Sequence, residues 1–252
     1  MEVLGNKVVI ITGGAGTLGL ATAKLYLAKG SSVMLVDRDE PALEAAVELL
    51  GGHNVGFVVA DVTRTADTRK YVNETVEKFG KIDVYIYCVG VIGMIRPITE
   101  IPDEDFAYMK YVNFSGAWLG CQYILPGMNN GGSIIIVSST AGHWGNANNN
   151  SYAESKHTMT GLVRALSLEV AHRNIRVNTI DPINFEGRMM RDPEEVLISG
   201  DREEMKRIMR SMIPLGRYAQ PEEVALSLLF FGSANSTYIT GTTHVISGGF
   251  RS

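Results

Sequence analysis

Tyr152 and Lys156 stand four residues apart in Tyr-Ala-Glu-Ser-Lys, and Ser139 precedes them in the chain. Residues at that spacing share one face of a helix, so the Lys156 ammonium can lie beside the Tyr152 hydroxyl if residues 152–171 are helical. A free tyrosine titrates near ~10, too high for a base at neutral pH. A neighbouring cation favours the phenolate and lowers that value. Ser139 can hydrogen-bond a substrate oxygen on which charge changes during reaction. Together the three side chains can carry a proton to or from an alcohol or carbonyl oxygen. Such pairs also occur on solvated helix faces, so the elements around them decide the meaning.

Those elements alternate. Short runs rich in β-branched residues at 8–12, 32–37, 55–61, 84–88, 133–138, 176–180 and 243–246 predict strands. Between them amphipathic stretches at 18–28, 41–50, 65–79, 103–128, 152–171 and 221–231 predict helices. Strand and helix in alternation predict repeated βαβ units and an α/β fold, a doubly wound, Rossmann-type parallel sheet of about seven strands with helices on both faces. The 252 residues are 45% hydrophobic and show no repeat or linker, so a single domain over 1–252 is expected.

The first strand runs into Thr12-Gly13-Gly14-Ala15-Gly16-Thr17-Leu18-Gly19. Glycines between a strand and a helix permit a tight turn and close approach of backbone amides to a pyrophosphate. Asp37 ends the second strand about 20 residues beyond that turn, where a carboxylate accepts hydrogen bonds from ribose hydroxyls. A 2′-phosphate would meet its charge, and although Arg38 is adjacent, the turn itself holds no basic residue. NAD is therefore expected rather than NADP.

Other classes are disfavoured. A net charge of -4 with interspersed signs gives no footprint for a nucleic acid. No apolar span of membrane length and no basic leader is seen, so a cytoplasmic protein without a membrane partner is expected. Cys88 and Cys121 are too few for a disulfide framework. His143-Trp144-Gly145-Asn146 and Glu169-x-x-His172 do not assemble three ligands, so no metal is expected.

Across nearly its whole length the chain resembles the short-chain dehydrogenase/reductase family. The matches are the glycine turn, Asp37, Asp61-Val62, Gly90, Val112-Asn113, Ser138-Ser139, Tyr152 to Lys156, Arg176-Val177-Asn178, Pro182 and Tyr238-Ile-Thr-Gly241. The resemblance implies a catalytic tetrad of Asn113, Ser139, Tyr152 and Lys156, with Asn113 holding a water that links the lysine to solvent. It implies hydride transfer between a nicotinamide and a substrate carbon, interconverting a secondary alcohol and a ketone. It also implies a cofactor site built from Gly13, Gly16, Thr17, Leu18, Gly19, Asp37, Arg38, Asp61, Val62, Cys88, Val89, Gly90, Tyr152, Lys156, Pro182, Ile183 and Phe185. A homotetramer through apolar faces of helices 103–128 and 152–171 is implied as well.

Several residues depart from the family pattern. Thr17 stands where the compact branch has glycine, giving a turn similar to that of sugar-nucleotide-modifying relatives. Tyr87-Cys88 replaces two asparagines that brace the central strands, so packing is expected in place of hydrogen bonding. Ile183, Gly187 and Ser247 also differ. Ligands bind beyond the carboxyl ends of strands in open α/β sheets, which points to segments 91–96 and 141–148 and a lid at 183–200. Arg96, His143, Trp144, Asn184, Arg188 and Met189 are the candidate contacts to a small-molecule substrate. Two further readings stay open: an epimerase or dehydratase that retains its NAD, and a non-catalytic dinucleotide sensor.

Overall fold

The computed structural model describes residues 4–183, 185–186 and 202–251. Its centre is one seven-stranded sheet in the order β3-β2-β1-β4-β5-β6-β7. The strands are β1 (Val8–Thr12), β2 (Ser32–Asp37), β3 (Val55–Val59), β4 (Ile82–Tyr87), β5 (Met128–Val137), β6 (Arg176–Pro182) and β7 (Thr243–Ile246). Every neighbouring pair is parallel. Strand order reverses where β4 pairs with β1, so a crevice opens there beyond the carboxyl ends of both strands.

All five residues of β1 are buried, because helices cover both faces of the sheet. Alternate residues enter separate cores. Val9 and Ile11 pack under α1 (Thr17–Ala28), α2 (Glu40–Leu50) and α8 (Pro221–Gly232). Ile10 faces the other core, with α3 (Thr65–Phe79), α5 (Gly116–Ile124) and α6 (Asn150–Val170). α4 (Asp103–Lys110) and α7 (Arg202–Ser211) each send a residue, Tyr108 and Met209, to the crevice.

β1, β2, α3 and β7 have their predicted bounds, and most other ends shift by one or two residues. α2 begins at Glu40 because the Asp39 carboxylate accepts from Ala42 N at 3.1 Å and caps it. β5 starts earlier than expected, joining Met128 to Ile82 before an irregularity that brings Ser133 opposite Val84. α7 was not among the predicted helices.

One expectation is refined. Residues 103–124 run as one continuous helical stretch, but a π turn at Tyr111–Ser115 interrupts its α geometry between α4 and α5, and Met128 already belongs to β5. The widened turn presents Asn113 inward and leaves the Val112 carbonyl to accept from the Tyr87 hydroxyl at 2.5 Å. Tyr87 therefore braces the central strand by a hydrogen bond as well as by packing, contrary to the expectation from its replacement of asparagine. α5 comes close enough for this through two glycines: a Cβ at Gly116 would overlap the Tyr87 hydroxyl, and one at Gly120 the Tyr85 hydroxyl.

Candidate functional site

The crevice is a cleft of about 750 Å³, within the ordinary range for small-molecule sites. One end is the turn between β1 and α1. Gly13 adopts φ +69, and its carbonyl accepts from Gly16 N at 3.0 Å, which folds the backbone tightly. α1 starts with no side-chain cap and no acidic residue in its first turn, leaving its amides free for an anion. A Cβ at Gly19 would meet the Gly13 carbonyl oxygen, so the helix can approach the turn only with glycine there.

Asp37, at the end of β2, lines the cleft beside this turn. Its carboxylate accepts from Arg38 N at 2.8 Å and from Ala15 N at 3.3 Å, fixing it at the mouth of the turn. Arg38 lines the same cleft and donates to the Tyr108 hydroxyl at 3.3 Å. Asp61 is folded onto Thr63, accepting from its N at 2.9 Å and its hydroxyl at 2.7 Å. Cys88 lines the cleft with its thiol pushed up to about 12 by burial, so it is no nucleophile at neutral pH. A cradle open only without side chains, a free helix start and a carboxylate beyond it fit a dinucleotide. The 17 residues expected to hold it all line this cleft.

The proton-handling groups lie further along. α6 places Tyr152 and Lys156 on its inner face, with the Lys156 Nζ 5.6 Å from the Tyr152 ring centroid. Lys156 donates to the Val137 carbonyl at 3.2 Å and is almost wholly buried. Ser139 follows β5, its oxygen accepting from Ala141 N at 3.1 Å, and it lines the cleft with Tyr152. Burial raises the Tyr152 hydroxyl above its ordinary value, Ser139 opposes this and Asp181 adds to it. Burial also lowers Lys156 to about 8, against the pull of Asp181. The expected depression of Tyr152 by Lys156 is thus not seen: burial sets the direction for both side chains, raising Tyr152 and lowering Lys156, so Lys156 is the easier of the two to deprotonate.

Asn113 is buried on the π turn between α4 and α5. Its Nδ2 donates to the Val91 carbonyl at 2.9 Å and to the Ser155 hydroxyl at 2.9 Å, while its Oδ1 accepts from Val91 N at 2.8 Å. The side chain is occupied in fastening the loop after β4 to α6, which fixes the Asn113 backbone within the π turn.

The substrate candidates divide. Asn184, Arg188, Met189 and most of the 183–200 segment lie outside the described residues. Arg96 is exposed and does not line the cleft. Trp144 packs between His143 and Phe250, with centroid distances of 5.5 and 5.9 Å. His143 is drawn behind the site by Asp181, 2.7 Å away. Within the segments expected to face substrate, Ile92, Ile95 and Asn146 do line the cleft. Tyr108, Asn149 and Met209 line it too and were not foreseen. The apolar spacing of Met205, Ile208, Met209 and Met212 was the available signal for the helix bearing Met209.

Comparison with known proteins agrees with this geometry. A family described as enoyl-(acyl carrier protein) reductase matches residues 13–251. The chain is 34% identical over 251 residues to a 3-oxoacyl-(acyl-carrier-protein) reductase of Thermotoga maritima, covering 98% of each. The crystal structure of levodione reductase superposes with a TM-score of 0.94 at 31% identity, covering 98% of each chain. That of NAD+-bound xylitol dehydrogenase gives 0.92 at 30% identity, covering 98% of this chain and 99% of that one. Among the described residues no helix is long and apolar enough to cross a membrane.

Proposed function

The chain belongs to the short-chain dehydrogenase/reductase family of oxidoreductases, and from that premise we propose that it interconverts a secondary alcohol and a ketone with NAD. The observation that carries this reading is the convergence of Ser139, Tyr152 and Lys156 in the cleft whose far end holds the glycine turn and Asp37. When bound, the nicotinamide supplies or accepts the hydride. The chain supplies the rest. Gly13, Gly16 and Gly19 admit the pyrophosphate, Asp37 takes the adenosine ribose, and Tyr152 with Lys156 stands beside the nicotinamide end. Ser139 orients the substrate oxygen. Tyr152 gives that oxygen a proton in reduction and removes it in oxidation, with Lys156 as the adjacent proton reservoir.

Reduction needs the pair with its full proton complement, and oxidation needs it one proton short. With Lys156 lowered to about 8, the pair is full below that pH and short above it. Initial reduction rates will therefore fall, and oxidation rates rise, as pH increases through about 8. Rates that change in the same direction for both reactions across that interval would remove Lys156 from the proton path.

Asp37 sets the cofactor choice. Asp37→Ala is expected to weaken NAD by about tenfold and to narrow the preference over NADP, because a hydrogen-bonded carboxylate repelling a 2′-phosphate is lost. Nicotinamide absorbance with both dinucleotides against a panel of secondary alcohols and ketones tests cofactor and reaction together. NADH formation from an alcohol supports the reading. Absence of turnover with NAD remaining on the purified protein would replace it by the epimerase or dehydratase reading.

We assign self-association to two apolar faces. Trp118 on α5 and Leu168 on α6 are exposed, the latter by 82%, and Leu226 and Phe230, four residues apart on α8, are a second exposed apolar pair. Large apolar side chains gathered on a face mark contact surfaces. A homotetramer uses both. Sedimentation equilibrium should give a tetramer for the wild type and a smaller species for Leu168→Glu; a monomeric wild type would refute it.

A further inference from the structure

Behind the Tyr152–Lys156 pair lies a second pair that the proposed reaction does not use. Asp181 is on β6, and its side chain is 0% exposed. Its alternation with Val177 directs it to the side of the sheet covered by α6, whereas Ile180 enters the opposite core. Val137, whose carbonyl holds Lys156, pairs in register with Ile180, so Asp181 stands one residue beyond the lysine's anchor. The next residues, Pro182 and Ile183, line the cleft.

One oxygen of Asp181, Oδ2, accepts from His143 Nε2 at 2.7 Å. The other, Oδ1, is buried without a hydrogen-bond partner among the described residues, and the Thr179 hydroxyl beside it is equally unmet. A buried carboxylate costs stability unless something uses or compensates its charge. Here the groups facing it are His143, Thr179, Lys156 and Tyr152. Cys88, just past β4, faces Lys156. His143 itself is 27% exposed and borders a second cavity with His157, Thr160 and Arg164 of α6.

We propose that Asp181, kept ionised by His143, is a positioning residue that holds the transferable proton on the Lys156–Tyr152 pair. This rests on the reading of that pair as the proton-handling groups. Burial favours the neutral carboxyl, while His143 and Lys156 favour the charged one. The charge in turn raises both Lys156 and Tyr152, so it keeps the proton in the site to a higher pH than burial alone would allow. His143 acts through Asp181: its hydrogen bond favours the charged carboxylate against burial, and removing it shifts the balance toward the neutral form. Asp181→Asn and His143→Asn must then act in the same direction, and the double variant must show no more than the larger single effect.

The test is a titration of Lys156 by NMR of lysine labelled at Cε, the resonance assigned by its absence in Lys156→Met. The wild-type midpoint is expected at about 8. In Asp181→Asn it should move to lower pH by at least about half a unit. In His143→Asn it should move the same way by the same amount or less. Midpoints equal to wild type in natively folded variants would overturn the proposal, as would additive shifts in the double variant. If Asp181→Asn does not fold, the partly exposed His143→Asn decides alone. No catalysis enters the measurement, so it can fail while Tyr152→Phe still abolishes dehydrogenase activity, and succeed where no alcohol turns over.

Discussion

Tyr152→Phe will lower kcat in both directions by about a thousandfold, with NAD binding changed by less than about threefold. The substitution keeps the ring over which Lys156 lies at 5.6 Å and removes only the hydroxyl. Folding and the dinucleotide site are therefore preserved while the atom that gives or takes the proton is gone. A positioned general acid or base contributes about 10² to 10⁴ in rate, and this hydroxyl has no substitute at the same place, since Ser139 has no base of its own. Steady-state rates on a substrate found with the wild type, and NAD titration by fluorescence, give the two numbers. A variant within about tenfold of wild-type kcat would move proton transfer to another group. A dinucleotide sensor, by contrast, predicts that its biological role survives this substitution.

The residues explain what was legible beforehand. The strands were visible because a parallel sheet covered on both faces needs continuous apolar, β-branched runs such as Val8-Val9-Ile10-Ile11. The cleft was visible because a turn closed by Gly13, Gly16 and Gly19 leaves its trace in residue types. The π turn at Tyr111–Ser115 left no such trace. It arises where Asn113 reaches the Val91 backbone and Tyr87 reaches the Val112 carbonyl, contacts separated by about 20 residues or more of chain. Helical spacing in 103–128 reports only local preference, and the tertiary hydrogen bonds prevail.

Charge was misread for a related reason. The four-residue spacing places a cation near Tyr152, but spacing carries no information about removal from water, and in this site burial decides the direction for both side chains. His143 was assigned to the substrate because its loop leaves the carboxyl end of β5, the correct edge of the sheet. Its actual partner is distant in sequence. Only the fold shows that Asp181 lies on the α6 side of β6 and captures the imidazole at 2.7 Å. The same pairing explains why a charged residue can precede Pro182 inside an otherwise buried strand.

Gly19→Ala should abolish saturable NAD binding at concentrations about a hundredfold above the wild-type Kd, a loss of about 2.7 kcal/mol or more. The added methyl would sit against the Gly13 carbonyl oxygen, 2.9 Å from Gly14 Cα and 3.0 Å from Gly13 C. All three are backbone atoms of the turn that must receive the pyrophosphate, so relief comes only by separating α1 from β1 and spoiling the cradle. Such overpacking also costs about 1 to 3 kcal/mol of folding stability, which a denaturant titration will register. Gly16→Ala supplies the contrast: its methyl would meet only the Gly13 oxygen, at 3.2 Å, at an exposed position with φ −75. There the turn can yield by a few tenths of an ångström, and a reduction in affinity of about tenfold or less is expected. Equal effects at the two positions would mean that mobility of the turn, rather than close contact between helix and strand, governs dinucleotide binding; no effect at Gly19 would place the pyrophosphate elsewhere.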